Sequence, residues 1–229
     1  MNRAVAMNRI LVSVVSVALL AGAGVAAAQS AVGRTKGTFA VSPTGAATYT
    51  IPIWAPRGPN GLQPSMALTY SSQQGIGYVG VGWSLSGLSS IYRCNQTYAQ
   101  DAAPAPITLT MSDVYCLDGQ RLRLTSGTYG EAGSTYQTEV ANFANVTAYG
   151  SAGNGPAYFI VQTANGLTYQ YGENSSGSGG NNSQVLASGT STAWVWMLNE
   201  VSDRAGNTMT ITYSTATGTA VPSTISWTP

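Results

Sequence analysis

Val114-Tyr115-Cys116-Leu117-Asp118-Gly119-Gln120-Arg121-Leu122-Arg123-Leu124 is the stretch that decides the fold class. Two runs of strand-forming residues, Val114–Leu117 and Gln120–Leu124, are separated by Asp118-Gly119 alone. A two-residue Asp-Gly link supplies positive φ at both central positions, as the type I′ turn of an antiparallel hairpin requires. The same grammar recurs outward in both directions. Asn165-Gly166 joins Tyr158–Thr163 to Leu167–Tyr171, and Asp203–Asn207, with Gly206 and Asn207 as turn formers, joins Ala193–Ser202 to Thr208–Tyr213. Toward the N-terminus, Ala46–Trp54 alternates around Tyr49, Ile51 and Ile53, and Pro52 marks an edge position or a bulge. Pro64–Ser71 alternates Met66, Leu68 and Tyr70, and Val79, Val81, Trp83 and Leu85 are expected to line one face of the next strand.

No window outside the first 28 residues carries a helical apolar stripe. Trp194–Val201 is ambiguous by periodicity, and its β-branched and aromatic content favours strand. Residues 173–190 are rich in Gly, Ser and Asn and read as a flexible surface loop, the best place to cut or insert. The expected fold is all-β: antiparallel sheets and hairpins with a sheet-on-sheet, sandwich-like core.

Composition then removes most chemistry. The 229 residues carry 9 basic and 8 acidic side chains, 2 cysteines, 27 glycines and no histidine. Without histidine there is no Ser-His-Asp or Cys-His unit and no His-ligated metal. Two cysteines cannot build a four-thiolate centre. A net charge of +1 with scattered arginines offers no surface for a nucleic-acid backbone. Disorder is excluded as well, because disordered chains combine low hydrophobicity with high charge. This chain is 44% hydrophobic, with 13 Tyr and 5 Trp.

The first 28 residues read as a cleavable signal peptide. Arg3 and Arg9 are basic, Ile10–Leu20 is apolar, and Ala26-Ala27-Ala28 offers a small-residue site for cleavage between Ala28 and Gln29. The alternative, an uncleaved anchor, is disfavoured because the second half of the uncharged run is Ala and Gly. Residues 29–36 are a short linker. Export makes Cys94 and Cys116 disulfide candidates, with two buried free thiols as the alternative. Closing that loop would stabilise the fold by about 3 kcal/mol.

Several apparent sites weaken on inspection. Gly75-Ile76-Gly77-Tyr78-Val79-Gly80 matches the dinucleotide fingerprint literally, with Asp101 at ribose-binding distance. The fingerprint needs a following helix, and here glycine runs on into Trp83. The acids Asp101, Asp113, Asp118, Glu131, Glu139, Glu173, Glu200 and Asp203 are the remaining acid–base candidates. A glycosidase would need two of them to face each other across a cleft, yet Asp118 and Asp203 already serve as turn residues. No calcium-loop spacing occurs, and Lys36 is the only lysine. Exposed Trp and Tyr could stack on sugars, but their regular alternation favours a sheet core.

Three stretches carry a family resemblance: Val41-Ser42-Pro43-Thr44-Gly45-Ala46-Ala47-Thr48-Tyr49-Thr50-Ile51-Pro52-Ile53, Gly80-Val81-Gly82-Trp83-Ser84-Leu85-Ser86-Gly87-Leu88, and Tyr115-Cys116-Leu117-Asp118-Gly119-Gln120-Arg121-Leu122. Tyr149–Pro156 and Leu198–Asn207 extend it. Together they resemble the N-terminal domain of the Salmonella virulence plasmid B protein. That domain also opens the B component of insecticidal toxin complexes and many YD-repeat (Rhs-type) proteins. The resemblance covers residues 37–229 and implies a structural role, in a hollow β-shell completed by YD repeats around a toxic C-terminal region. The implied partners are downstream YD-repeat and propeller parts of the same polypeptide and a toxin-complex channel component. Membrane contact would be confined to the transient signal peptide. No catalytic, cofactor-binding or metal-binding residues map onto this segment, and no cofactor is expected.

Two departures stand beside the match, the Sec-type signal and the glycine-rich 173–190 stretch. Relatives without a signal are cytoplasmic before release, whereas this chain is expected to pass the periplasm to the cell surface or exterior. Ending at Trp227-Thr228-Pro229, just after a strand-like run, it reads as truncated from a longer frame. The expected function is a non-enzymatic scaffold of an exported virulence protein. A cell-surface adhesin or glycan-binding β-sandwich is the alternative.

Overall fold

The computed structural model describes residues 36–172, 183–216 and 218–227. The expected signal peptide, its cleavage site at Ala28 and Gln29, and the linker up to residue 35 lie outside them.

The chain first builds a small antiparallel sheet from β1 (Thr38–Val41), β2 (Ala47–Ile53), β3 (Met66–Ser71) and β6 (Trp83–Ser86), in the order β1-β2-β3-β6. β1 pairs with β2 only as far as Thr50. Pro52, which lacks a donor, therefore sits where β2 is an edge on that side, as its sequence position anticipates. The single strand expected to present Val79, Val81, Trp83 and Leu85 together does not form. A two-stranded ribbon of β4 (Ile76–Gly77) and β5 (Gly80–Val81) comes first, and β6 starts afresh after Gly82. Gly82 has φ +77°, a left-handed conformation that interrupts an extended run. Val79 and Val81 are consequently exposed, while Trp83 and Leu85 are half-buried.

The second sheet closes on itself. It comprises β7 (Ser90–Cys94), β8 (Val114–Leu117), β9 (Gln120–Ser126), β10 (Thr135–Thr138), β11 (Asn145–Tyr149), β12 (Tyr158–Gln162), β13 (Thr168–Gly172) and β15 (Ala193–Ser202). Each strand pairs with the next along the chain from β7 to β13, and β15 then pairs with both β13 and β7. The result is an eight-stranded antiparallel barrel-like shell, so the shell and not the sandwich is the arrangement adopted. One edge of β15 carries β13 and then β14 (Gln184–Leu186) in line; the other carries β7 and then β16 (Thr208–Ala216). β16 and β17 (Thr219–Trp227) form a long hairpin, of which only Thr208–Thr210 pair with β15. β14 corrects the expected 173–190 loop. Gln184 and Val185 are buried against β15, so Gln184–Leu186 of that stretch is strand despite its polar composition, while residues 187–190 form a turn. Residues 173–182 lie outside the described ones.

Period-two burial in β7, β11 and β12 turns Ile91, Val146, Ala148, Phe159 and Val161 inward. Eight strands leave an interior that side chains can fill, and aromatic rings fill it here. Tyr115, Tyr136, Phe159 and Trp196 are essentially inaccessible. Tyr115 and Phe159 meet Trp196 edge-on at 5.3 and 5.1 Å between ring centres. Such pairs add about 0.5–1.5 kcal/mol each beyond their area burial.

Candidate functional site

The charged centre of the molecule is Arg93, on β7 two residues after the buried Ile91 and hence on the same inward face. Its side chain is 0% exposed. The guanidinium donates through Nε to the Ala193 carbonyl at 2.8 Å and through Nη2 to the Asn154 carbonyl at 2.6 Å. Nη1 donates to the Thr110 carbonyl at 2.7 Å and to Asp113 Oδ2 at 3.0 Å. Its cationic carbon lies 5.6 and 5.7 Å from the ring centres of Tyr115 and Trp196. A Cβ on Gly155 would stand 2.7 Å from Nη2, so only a residue without a side chain lets that backbone close over the cation.

Asp113 is the counter-ion. Burial opposes its charge, but donors from the Thr108 backbone and hydroxyl, both at 2.8 Å, and from Arg93 hold its carboxyl below the usual range. Leu109 N also donates to it, at 2.7 Å. The four acceptors of Arg93 come from two separate connections and one strand. This geometry ties the 108–113 and 154–155 loops to β15, with the Arg93 guanidinium and the Asp113 carboxylate paired to each other.

The phenols around this centre are proton-bound at neutral pH. Burial pushes Tyr115 up to about 12 and raises Tyr129, Tyr171 and Tyr213 further. Tyr129 Oη accepts from Tyr115 N at 2.7 Å and donates to the Leu122 carbonyl, and Tyr213 Oη donates to the Leu198 carbonyl at 2.7 Å. Tyr129 and Tyr213 thus act as struts, whereas the buried Tyr115 hydroxyl has no hydrogen-bond partner among the described residues.

The other described acids lie apart or in neutralised clusters. Arg121 holds Asp101 of the short helix α1 (Tyr98–Asp101) at 3.1 Å and also donates to the Asn95 carbonyl and Gln100 Oε1. Glu139 accepts from Gln100 and lies 3.8 Å from Arg123. Asp118 accepts from Ser89 Oγ at 2.5 Å and Ser90 N at 2.9 Å, which fixes the β8–β9 turn to the start of β7. Among the described residues no three metal-ligating side chains converge. Cys94 and Cys116 are bonded to each other across the β7–β8 pair.

The turn residues divide into two kinds. Asp118 and Gly119 both have positive φ, 46° and 86°, as a type I′ turn demands. At the other two turns only the glycine does, Gly166 at +84° and Gly206 at +84°. There the Thr163–Gly166 and Asp203–Gly206 bonds close a tight turn, and the glycine forms a bulge before Leu167 or Asn207. Asn165 Oδ1 accepts from Thr163 Oγ1, and Asp203 accepts from Ala205 N, Asn207 N and Asn207 Nδ2. Hydrogen bonds from the Asn207 and Asn60 side chains draw Asp203 down to about 2. Asn60, Gly166 and Asp203 line a shallow groove of about 320 Å³ between these turns.

Residue patterns alone do not reveal the Arg93 centre, although one local signal exists. An arginine on the same face of a strand as Ile91 must be either misplaced or paired.

A family model described as Salmonella virulence plasmid 65kDa B protein matches residues 41–227. No curated protein sequence matches the chain. Among solved structures, the N-terminal domain of effector protein SpvB from Salmonella typhimurium strain LT2 is similar at a TM-score of 0.57 and 20% identity, over 77% of this chain and 63% of that one. The crystal structure of TcdB2-TccC3 is similar at 0.62 and 15% identity, over 84% of this chain and 10% of that one. The Photorhabdus luminescens Tc holotoxin pore is similar at 0.57 and 16%, over 81% and 9%. This chain therefore spans about a tenth of the toxin-complex chains it matches.

Proposed function

Since the chain belongs to the Salmonella virulence plasmid 65kDa B protein family, we propose that it is a non-enzymatic scaffold module of a larger exported toxin-complex or YD-repeat protein. In this reading it forms part of the β-shell that encloses or delivers a C-terminal effector. One observation carries the proposal: the eight-stranded barrel is plugged by Trp196, Phe159, Tyr115 and a fully paired Arg93, which leaves a filled wall element with no open chamber inside it among the described residues. The fold likeness to chains about ten times as long agrees with a module that works inside a larger body. Its partners are then the downstream repeat and propeller parts of the same polypeptide, and through them a toxin-complex channel component. The signal-like first 28 residues would take the protein through the periplasm to the surface or exterior.

Reading the gene past Pro229 tests this directly. Tyr-Asp repeats at a period of about twenty residues, or propeller repeats, are the expected result. A stop codon at that point refutes the scaffold reading. Glycan binding by the isolated chain on an array would instead favour an adhesin.

A further inference from the structure

The small N-terminal sheet has two chemically opposite faces. Residues directly across paired strands share a face, so one row reads Phe39, Tyr49, Tyr70, Trp83 across all four strands. The next apolar rows on that face are Ile51, Leu68, Leu85 and Ile53, Met66, with Val41 and Ala47 beyond. The opposite face carries Thr38, Thr50, Thr69, Ser84 and then Thr48, Ser71, with Thr69 and Ser84 hydroxyls bonded at 2.8 Å. A one-sided sheet of this kind is built to pack on something. Yet no residue of β1, β2, β3 or β6 is buried, and Phe39 stays 66% exposed. The adjoining β4–β5 ribbon adds Ile76 and Val81, 88% and 71% exposed.

We propose that this aromatic face docks the apolar face of a second β-sheet supplied by the same polypeptide outside residues 1–229. The inference rests on the scaffold reading above and names where the rest of the wall attaches. Three features choose this occupant. The surface is flat and lacks charge: Arg57 is the only charged residue between Thr38 and Ser86. That suits sheet-on-sheet packing and gives a freely diffusing partner nothing to steer by. Four strands of about six residues cover a plan area of roughly 400 Å². One side of a stable free interface buries about 800 Å², so a second, untethered copy finds too little area. A tethered sheet does not face that threshold, because the linker supplies the effective concentration.

The test uses the whole gene product with a benzophenone amino acid in place of Tyr70, and separately of Thr69 on the polar face. Illumination of mixed light- and heavy-isotope protein is followed by mass spectrometry. The expected result is crosslinks from position 70 to peptides beyond residue 229 of the same copy, several-fold above position 69. Light-to-heavy crosslinks, crosslinks into residues 1–36, or equal yields at 69 and 70 each overturn the proposal. Hydroxyl-radical footprinting of the unsubstituted protein guards against misfolding. Phe39, 66% exposed in this structure, should label several-fold less than Tyr98 at 75%, and equal labelling overturns the proposal as well. If the frame continues into further sheets while Tyr70 contacts a second copy, this inference falls and the scaffold reading stands. A frame that stops at Pro229 removes both.

Discussion

Replacing Arg93 by methionine keeps the aliphatic stem in place and deletes the cation that ties the barrel mouth together. Four acceptors lose their donor: Asp113 Oδ2 and the carbonyls of Thr110, Asn154 and Ala193. Asp113 keeps its Thr108 and Leu109 donors, so it remains charged but without a buried counter-ion. Breaking a buried pair from one side costs about 3–5 kcal/mol; Thr110 O keeps the Asp113 N donor, which puts the loss at the middle of that range, about 4 kcal/mol. With a urea slope of about 2 kcal/mol per molar, the unfolding midpoint should fall by about 2 M. Arg93→Lys should recover little of it, because an ammonium cannot span four acceptors that a planar fork reaches. Asp113→Asn should also be costly: its one amide oxygen can keep the two Thr108 donors that Oδ1 accepts, but the amide nitrogen then faces the Leu109 N–H and the Arg93 Nη1 that Oδ2 accepts. The double variant should lose less than the two single losses combined, because both act on one contact. Paired urea titrations of the four proteins measure all of this. An Arg93→Met midpoint within about 0.3 M of the parent, at unchanged slope, refutes the role assigned to this centre.

Acid should act through the same contact: the folded Asp113 carboxyl lies below its ordinary value of 3.8, so its stabilisation is complete above that value and is lost as pH falls through the folded one. Asp203, drawn down to about 2, adds a second loss between roughly pH 4 and 2, and Asp203→Ala should flatten that part of an acid melt. Alkali should act through the phenols. Buried Tyr115 is raised to about 12 from 10.0, so the stability it contributes is full below pH 10 and lost between the two values; the late phase of the phenolate absorbance rise, from the buried rings, should coincide with loss of tertiary signal. Separate titration and unfolding would contradict that. Reducing the Cys94–Cys116 bond, which closes a separation of 22 residues, should lower stability by about 3 kcal/mol at neutral pH without loss of β-sheet circular dichroism. Gly172→Ala should be among the worst single-methyl insertions: at φ +91° its Cβ would lie 2.5 Å from Trp196 Cδ1 and 2.8 Å from the Ala157 carbonyl. A change under about 0.5 kcal/mol in thermal unfolding would show that Trp196 can give way.

Much of this protein was written in local sequence. Asp118-Gly119 specified its hairpin because positive φ at two neighbouring residues is adopted at low cost by few residue types, Asp and Gly among them. Alternation placed Tyr49, Ile51 and Ile53 on one face with Tyr70, Leu68 and Met66, and Pro52 announced the end of β1 pairing. These signals span at most a few residues, which is why they survive without a structure. Tertiary contact decided the rest. Gln184-Val185 looked like loop until β15 offered a strand to pair with, and composition cannot see a partner ten residues away. The Val79–Leu85 run looked like one strand until Gly82 turned left-handed, a choice that glycine permits but does not announce. Closure of the barrel depends on β13 and β7 meeting opposite edges of β15, and the Arg93 centre on Thr110, Asp113, Asn154 and Ala193 arriving together. Each of those contacts joins residues far apart along the chain. Period and turn chemistry are short-range, whereas closure and ion pairing exist only once distant segments share a volume from which water has been expelled.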